Sequence, residues 1–208
     1  MYLKKILQNK KAIIMDFDGT ITNTEPLNFK TWHYLLESQD IDFTENDFKD
    51  ILGHSVYKIL DILEKKYQNF DRNKLIDRVD DYIETFKRLQ NESNLQMFDY
   101  VKEILENYND IPKFILSNQI KVLIDNMLTK WKIEDKFIKV YSCLDEKLKK
   151  QDFYENAEKY FGVKASDCLL CEDSQIYIDE GKKVGMTTLG IQHNLNAKLT
   201  ADYIINVE

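Results

Sequence analysis

The stretch Ala12-Ile13-Ile14-Met15-Asp16-Phe17-Asp18-Gly19-Thr20 decides how this chain is read. Its apolar half, bounded by lysine on one side and by acid and glycine on the other, has the length of a strand buried on both faces. Such strands belong to parallel sheets, and their C-terminal ends open onto the ligand crevice. Asp16 and Asp18 fall on the same side as the strand breaks up, and Gly19 lets the chain turn sharply. Two carboxylates about 4 Å apart repel by roughly 4 kcal/mol at an effective dielectric of 20, so the pair calls for a cation, a shared proton or wide solvent access. A cation is the favoured choice. Asp-x-Asp-Gly is also ordinary turn chemistry, so the rest of the chain must decide between a turn and a site.

Beyond Thr20 the pattern becomes helical. Leu27, Trp32, Leu35 and Leu36 share a face behind Pro26; Phe48, Ile51 and Leu52 follow Thr44 as a helix cap; Val56, Ile59, Leu60 and Leu63 form the next stripe. Leu75, Val79, Tyr82, Ile83, Phe86 and Leu89 continue it, so residues 22–92 read as four or so helices without a strand. From Val101 the order alternates. A helix leads to a strand at Lys113–Leu116 ending in Ser117-Asn118, a second helix carries Val122 to Leu128, and a strand runs from Phe137 to Tyr141. A helix over about Asp152–Phe161, a strand at Cys168–Cys171, a helix at Ile178–Val184 and strands at Thr187–Ile191 and Tyr203–Ile205 complete the chain. Alternation of this kind predicts βαβ crossovers and an α/β fold with a doubly wound, mainly parallel sheet. The expected division is a Rossmann-like core of residues 1–21 and 93–208, with a helical domain of residues 22–92 inserted after the first strand.

Composition narrows the partners. With a formal net charge of −7 over 208 residues and no polybasic tract, a nucleic acid or an anionic membrane would be repelled on average. No apolar run has the length of a bilayer span, and Met1-Tyr2-Leu3-Lys4-Lys5 lacks the apolar region of a signal peptide, so a cytoplasmic protein is expected. Three cysteines make no disulfide framework, and Cys168 and Cys171 flank Leu169-Leu170 in a strand, where they read as core thiols. His33, His54 and His193 are scattered and make no metal motif.

Three later strand ends or loops complement the aspartate pair. Ser117-Asn118 offers a hydroxyl, an amide and backbone N–H groups; the run from Lys147 to Lys150 offers ammonium charge; Cys171-Glu172-Asp173-Ser174 offers two more carboxylates. Each has a plain structural reading: Ser-Asn as a turn, the lysines as a solvated run, Glu-Asp-Ser as a helix cap. Their joint placement at strand ends favours a site.

With these motifs in this order, the chain resembles the haloacid dehalogenase-like (HAD) phosphohydrolases over essentially its whole length. Asp16 to Thr20 resembles the family's first motif, Leu116-Ser117-Asn118 the second, a lysine among 147–150 the third, and Glu172-Asp173-Ser174 with Gly185-Met186-Thr187 the fourth. The helical insertion resembles the C1 cap of the branch that includes β-phosphoglucomutase and phosphoglycolate phosphatase. The resemblance implies a phosphatase acting on a small phosphorylated metabolite such as a sugar phosphate, with the cap closing over it. Asp16 would attack phosphorus to form an aspartyl-phosphate, and Asp18 would serve as general acid and then base. Mg²⁺ would be held by the Asp16 carboxylate, the Asp18 main-chain carbonyl and Asp173, with Glu172 as direct or indirect support. Ser117, Asn118 and one lysine would bind the phosphoryl group. A monomer or weak dimer is expected.

Two departures from the family pattern matter. The Lys-Pro of the third motif is absent, and a small deletion aligns Lys150-Gln151-Asp152, so Lys150 is preferred over Lys149 and Lys147. The stretch Gly53-His54-Ser55-Val56-Tyr57-Lys58 lacks the arginine that the mutases carry there, which favours a phosphatase over a sugar-phosphate mutase and leaves His54 as a cap residue for substrate. Dehalogenation is disfavoured, because that branch lacks the second aspartate and the metal. A phospho-acceptor switch of the receiver type needs neither a helical insertion nor a second acid.

Overall fold

The computed structural model describes residues 2–207; Met1 and Glu208, the ends of the expected core domain, lie outside the described residues. The chain divides into two compact units, one made of the residues up to Asn23 with those from Gln96 onward, the other of Thr24–Leu95.

In chain order the elements are α1 (Tyr2–Ile6), β1 (Ala12–Met15), α2 (Glu25–Glu37), α3 (Glu45–Ile51), α4 (Val56–Lys66), α5 (Arg72–Ile76) and α6 (Val79–Glu92). After them come α7 (Asp99–Asn107), β2 (Lys113–Ser117), α8 (Lys121–Trp131), β3 (Lys139–Ser142), α9 (Cys143–Glu146), α10 (Lys150–Glu155) and α11 (Ala157–Phe161). The chain closes with β4 (Cys168–Glu172), α12 (Gln175–Lys183), β5 (Thr187–Gln192) and β6 (Tyr203–Asn206).

The larger unit is built on a six-stranded sheet in the order β3-β2-β1-β4-β5-β6. Every neighbouring pair is parallel, with Ile14 beside Phe114 on one side and beside Leu170 on the other. This is the expected doubly wound α/β fold. β1 is the first strand and lies at the middle, so the chain winds outward from it in both directions, and the switch of direction leaves a crevice at the C-terminal ends of β1, β2 and β4. Ile13, Ile14 and Met15 are all fully buried, as a central strand covered on both faces requires. One face packs Ile14, Phe114, Leu116 and Leu170 against Phe153, Tyr154 and Phe161 from α10 and α11.

Two sequence expectations are corrected in this unit. β3 begins at Lys139, because Phe137 closes a 3-10 turn over Glu134–Lys136 and Ile138 first joins the sheet through its N–H to the Lys113 carbonyl, 2.8 Å away. The helix expected over 152–161 starts earlier, at Lys150, and is broken at Asn156, whose backbone leaves the helical region (φ −115°, ψ 40°) while its amide caps the Asp152 carbonyl at 2.8 Å. The short helices α1 and α9 carry too few turns for a periodicity to be read.

The smaller unit contains the five helices α2 to α6 and no strand among its described residues. Its core joins Trp32, Leu35 and Leu36 of α2 to Phe48 and Ile51 of α3, Ile59, Leu60 and Leu63 of α4, and Leu75 of α5. Thr44 caps α3 as expected, within a reciprocal capping box with Asp47. The stripe from Leu75 to Leu89 does not continue through one helix. Arg78 interrupts it, reaching the Leu35 carbonyl at 3.5 Å, the Ser38 hydroxyl and the Asp81 carboxylate at 2.7 Å, and these bonds hold a bend between α5 and α6.

Candidate active site

β1 delivers Asp16 to the end of the sheet. Its N–H donates to the Cys171 carbonyl on β4 at 3.1 Å, so the ladder runs one residue past the strand and fixes the backbone of Asp16. Phe17 turns into the core against Trp131, with ring centroids 6.3 Å apart. Gly19 then reverses the chain at a φ of +68°, a conformation that glycine adopts without strain. A side chain there would also run into the Asp173 carboxylate.

Lys150, at the start of α10, lies fully buried between two of the acids. Its Nζ is 3.0 Å from Asp16 Oδ2 and 2.7 Å from Glu172 Oε2, and it stands 4.4 Å from the centre of the Tyr177 ring. Burial alone would favour the neutral amine, but the charges of Asp16 and Glu172 outweigh it and hold the Lys150 pKa well above its ordinary value. The other lysines of the run do something else. Lys147 is exposed and ends α9 in the left-handed conformation, and exposed Lys149 is the residue before α10.

β4 supplies Glu172 and Asp173. Carboxylate oxygens of Asp16, Glu172 and Asp173 lie within 4.8 Å of one another. Burial, followed by the negative charge of Asp16, pushes the Glu172 pKa well up, and Lys150 opposes it. Burial also raises Asp173, against a lowering hydrogen bond from His193. Asp16 Oδ1 is buried without a hydrogen-bond partner. Three crowded carboxylates with one ammonium between them, and one oxygen left unpaired, fit a small cation with a preference for oxygen donors.

β2 ends at Ser117, which is buried; its Oγ accepts the Gln119 N–H at 3.1 Å. Asn118 is partly exposed, and its amide nitrogen donates to the Tyr177 hydroxyl at 2.8 Å, so the side chain is tied to α12. Gln119 donates to Asp18 Oδ2 at 3.3 Å while its own carbonyl oxygen accepts the Ile120 N–H at 3.0 Å. That second bond fixes which end of the amide faces Asp18.

The expected residues Asp16, Lys150, Glu172 and Asp173 thus form one contact network. Asp18 and Ser117 join at its β2 side through Gln119. His54 belongs to the helical unit, between α3 and α4, where it is half-buried and its pKa is lowered by burial and then by Lys58. Sequence reasoning missed Gln119, Tyr177 and His193. Tyr177 lies in the first turn of α12, just behind Glu-Asp-Ser, and His193 directly follows β5, so extending the strand-end search to that strand would have found it.

Residues 13–191 match the family model described as haloacid dehalogenase-like hydrolase. The chain belongs to the haloacid dehalogenase-like hydrolases. The enzyme class expected from the motifs stands: a HAD-like phosphohydrolase of the C1-capped branch. Among its relatives, the chain is 26% identical to the β-phosphoglucomutase of Bacillus subtilis, over 94% of this chain and 88% of that one. It is 23% identical to a phosphorylated carbohydrates phosphatase of Thermotoga maritima, over 89% and 87%. The crystal structure of β-phosphoglucomutase from Clostridium difficile superposes with a TM-score of 0.79 at 25% identity, covering 95% of this chain and 91% of that one. No helix of the described residues is long and apolar enough to cross a membrane.

Proposed function

We propose that this enzyme is a Mg²⁺-dependent phosphatase of a small phosphorylated metabolite, a sugar phosphate or a compound like it, working through an aspartyl-phosphate. The observation that carries the reading is the buried network of Asp16, Lys150, Glu172 and Asp173 at the switch point of the sheet. The similarity to a carbohydrate-phosphate phosphatase supports the substrate class. The metal would be held by the Asp16 carboxylate, the Asp18 main-chain carbonyl and Asp173, with Glu172 beside them. When bound, Mg²⁺ supplies positive charge that offsets the meeting of a carboxylate with a phosphate dianion.

In the first half-reaction a carboxylate oxygen of Asp16 attacks phosphorus, the ester P–O bond breaks, and the departing alkoxide takes the proton of the Asp18 carboxyl. In the second, water attacks the same phosphorus, Asp18 takes its proton, the acyl-phosphate P–O bond breaks, and Asp16 is regenerated with release of inorganic phosphate. Lys150, held charged by its two carboxylates, and the Ser117 hydroxyl would bind phosphoryl oxygens, with Asn118 at the same strand end. Gln119 would keep the Asp18 carboxyl oriented. The helical unit, residues 24–95, would serve as the C1 cap, and His54 would be its substrate-facing residue. The acidic charge balance weighs against a nucleic-acid or anionic-membrane partner, and the reading is completed by a cytoplasmic enzyme that is a monomer or weak dimer.

The test is phosphate release from a panel of sugar phosphates, phosphoglycolate and nucleotides, with Mg²⁺ or with chelator, beside Asp16→Asn. Release that requires both the metal and Asp16 is expected; equal rates in wild type and Asp16→Asn would remove the covalent mechanism. A second reading, a sugar-phosphate mutase, is favoured by the 26% identity to a β-phosphoglucomutase and opposed by the absence of arginine from Gly53 to Lys58. Isomerisation of a hexose 1-phosphate without net phosphate release would establish it.

A further inference from the structure

His193 stands outside every motif that brought the site to notice, yet its ring meets the site at Asp173. Nε2 is 3.0 Å from Asp173 Oδ2. The other ring nitrogen settles which atom carries the proton. Nδ1 accepts the Leu195 N–H at 3.2 Å, so Nδ1 is the bare nitrogen and the neutral ring bears its hydrogen on Nε2, aimed at the carboxylate. The segment that carries His193 is itself tied down. The His193 N–H donates to Asn196 Oδ1 at 3.1 Å, and Asn196 Nδ2 donates to the carbonyls of Asp173 at 3.0 Å and Ile191 at 2.8 Å. Asp173 Oδ1 accepts from the Thr20 hydroxyl at 3.5 Å. The carboxylate of Asp173 is therefore gripped from two sides, and its backbone from a third.

We infer that His193 is a positioning residue that orients the Asp173 carboxylate for a divalent cation, through an Nε2–H hydrogen bond whose direction the Leu195 N–H fixes. The inference rests on the reading of Asp173 as a metal ligand. Donors to a ligating carboxylate limit its rotation, so the ordering cost is met before the ion arrives, and loss of such a partner commonly weakens metal binding about 10–100-fold. Glycine at position 19 belongs to the same arrangement, since a Cβ there would stand 3.1 Å from His193 Nε2 as well as against Asp173.

The experiment is isothermal titration of Mg²⁺ into metal-free wild type, His193→Phe and His193→Gln, with no substrate present. Phenylalanine keeps the ring and removes the donor; glutamine keeps an N–H donor at about the same reach. The expected result is a Kd raised about tenfold or more in His193→Phe and largely restored in His193→Gln. Equal Kd values in wild type and His193→Phe overturn the inference and leave the metal site standing. A wild type that takes up no Mg²⁺ overturns the metal reading itself. Long-range ¹H–¹⁵N correlation of the wild-type imidazoles tests the geometry without any variant. A proton on Nε2 with a bare Nδ1 supports it, and a proton on Nδ1 alone overturns it.

Discussion

At the scale of single residues, the position of Lys150 has the largest consequence. A lysine with no exposed side-chain surface, 3.0 Å from one carboxylate and 2.7 Å from another, is tolerable only because each charge answers the others. Lys150→Met removes the ammonium and leaves Asp16 and Glu172 facing each other in a buried site. This variant is expected to lose about 3–5 kcal/mol of stability in urea denaturation in metal-free buffer, and to release no phosphate when Mg²⁺ is supplied. A loss within experimental error would mean that the carboxylates shed their charge by protonation instead. Part of this was legible in the sequence. The four acids Asp16, Asp18, Glu172 and Asp173 stand at the ends of two apolar runs, where strand geometry alone directs attention. Among the three candidate lysines the third-motif alignment already prefers Lys150, and packing then sets it, buried, apart from exposed Lys147 and Lys149. Gln119 left no signal of its own, because a single amide acquires meaning only from the carboxylate that the fold brings to it, and His193 is marked only by its place directly after β5.

At the scale of elements, the strands and the long helices followed from periodicity, whereas breaks at Asn156 and Arg78 did not. Both are made by side-chain bonds to distant or preceding carbonyls, which hydrophobic spacing does not encode. The N-terminus of α3 is the opposite case, a local signal fully realised. Asp47 accepts the Thr44 N–H at 2.6 Å and lies 2.7 Å from Lys66 Nζ. Partial burial would raise its pKa, but the bonds from Lys66 and Thr44 win and hold it well below the ordinary 3.8. A carboxyl depressed on folding adds stability above its unfolded pKa and loses that contribution as pH falls through the folded value. Asp47→Asn should therefore lower stability by about 1 kcal/mol near neutral pH. The deficit should shrink once the pH drops below about 3.8. Thermal melts of both proteins at about pH 7 and about pH 3 decide it; the same deficit at both would show that shape and not charge makes the cap.

At the scale of the whole molecule, the site works against the stability of the fold that builds it. Sheet topology brings Asp16, Glu172 and Asp173 together from β1 and β4, and burial then penalises their charge, raising Glu172 and Asp173 above ordinary carboxylates. A carboxyl whose pKa rises on folding costs stability at every pH where the unfolded chain would ionise it more readily than the native one. A bound cation reverses that sign, because it binds the assembled site and not the scattered acids of the unfolded chain. At a free Mg²⁺ concentration about 100 times its Kd the native state gains about 2.7 kcal/mol, which for a chain of this length raises the melting midpoint by roughly 5–10 °C. Asp173→Asn separates the two effects. Removing one crowded charge is expected to leave the metal-free midpoint at or above that of wild type, while the upward shift with Mg²⁺ disappears. Calorimetry of both proteins in chelator and in Mg²⁺ reads both quantities at once. A metal-free midpoint several degrees below wild type would mean that the His193 and Thr20 bonds to the Asp173 carboxylate outweigh the crowding, and that the site stabilises the sheet even when empty of metal.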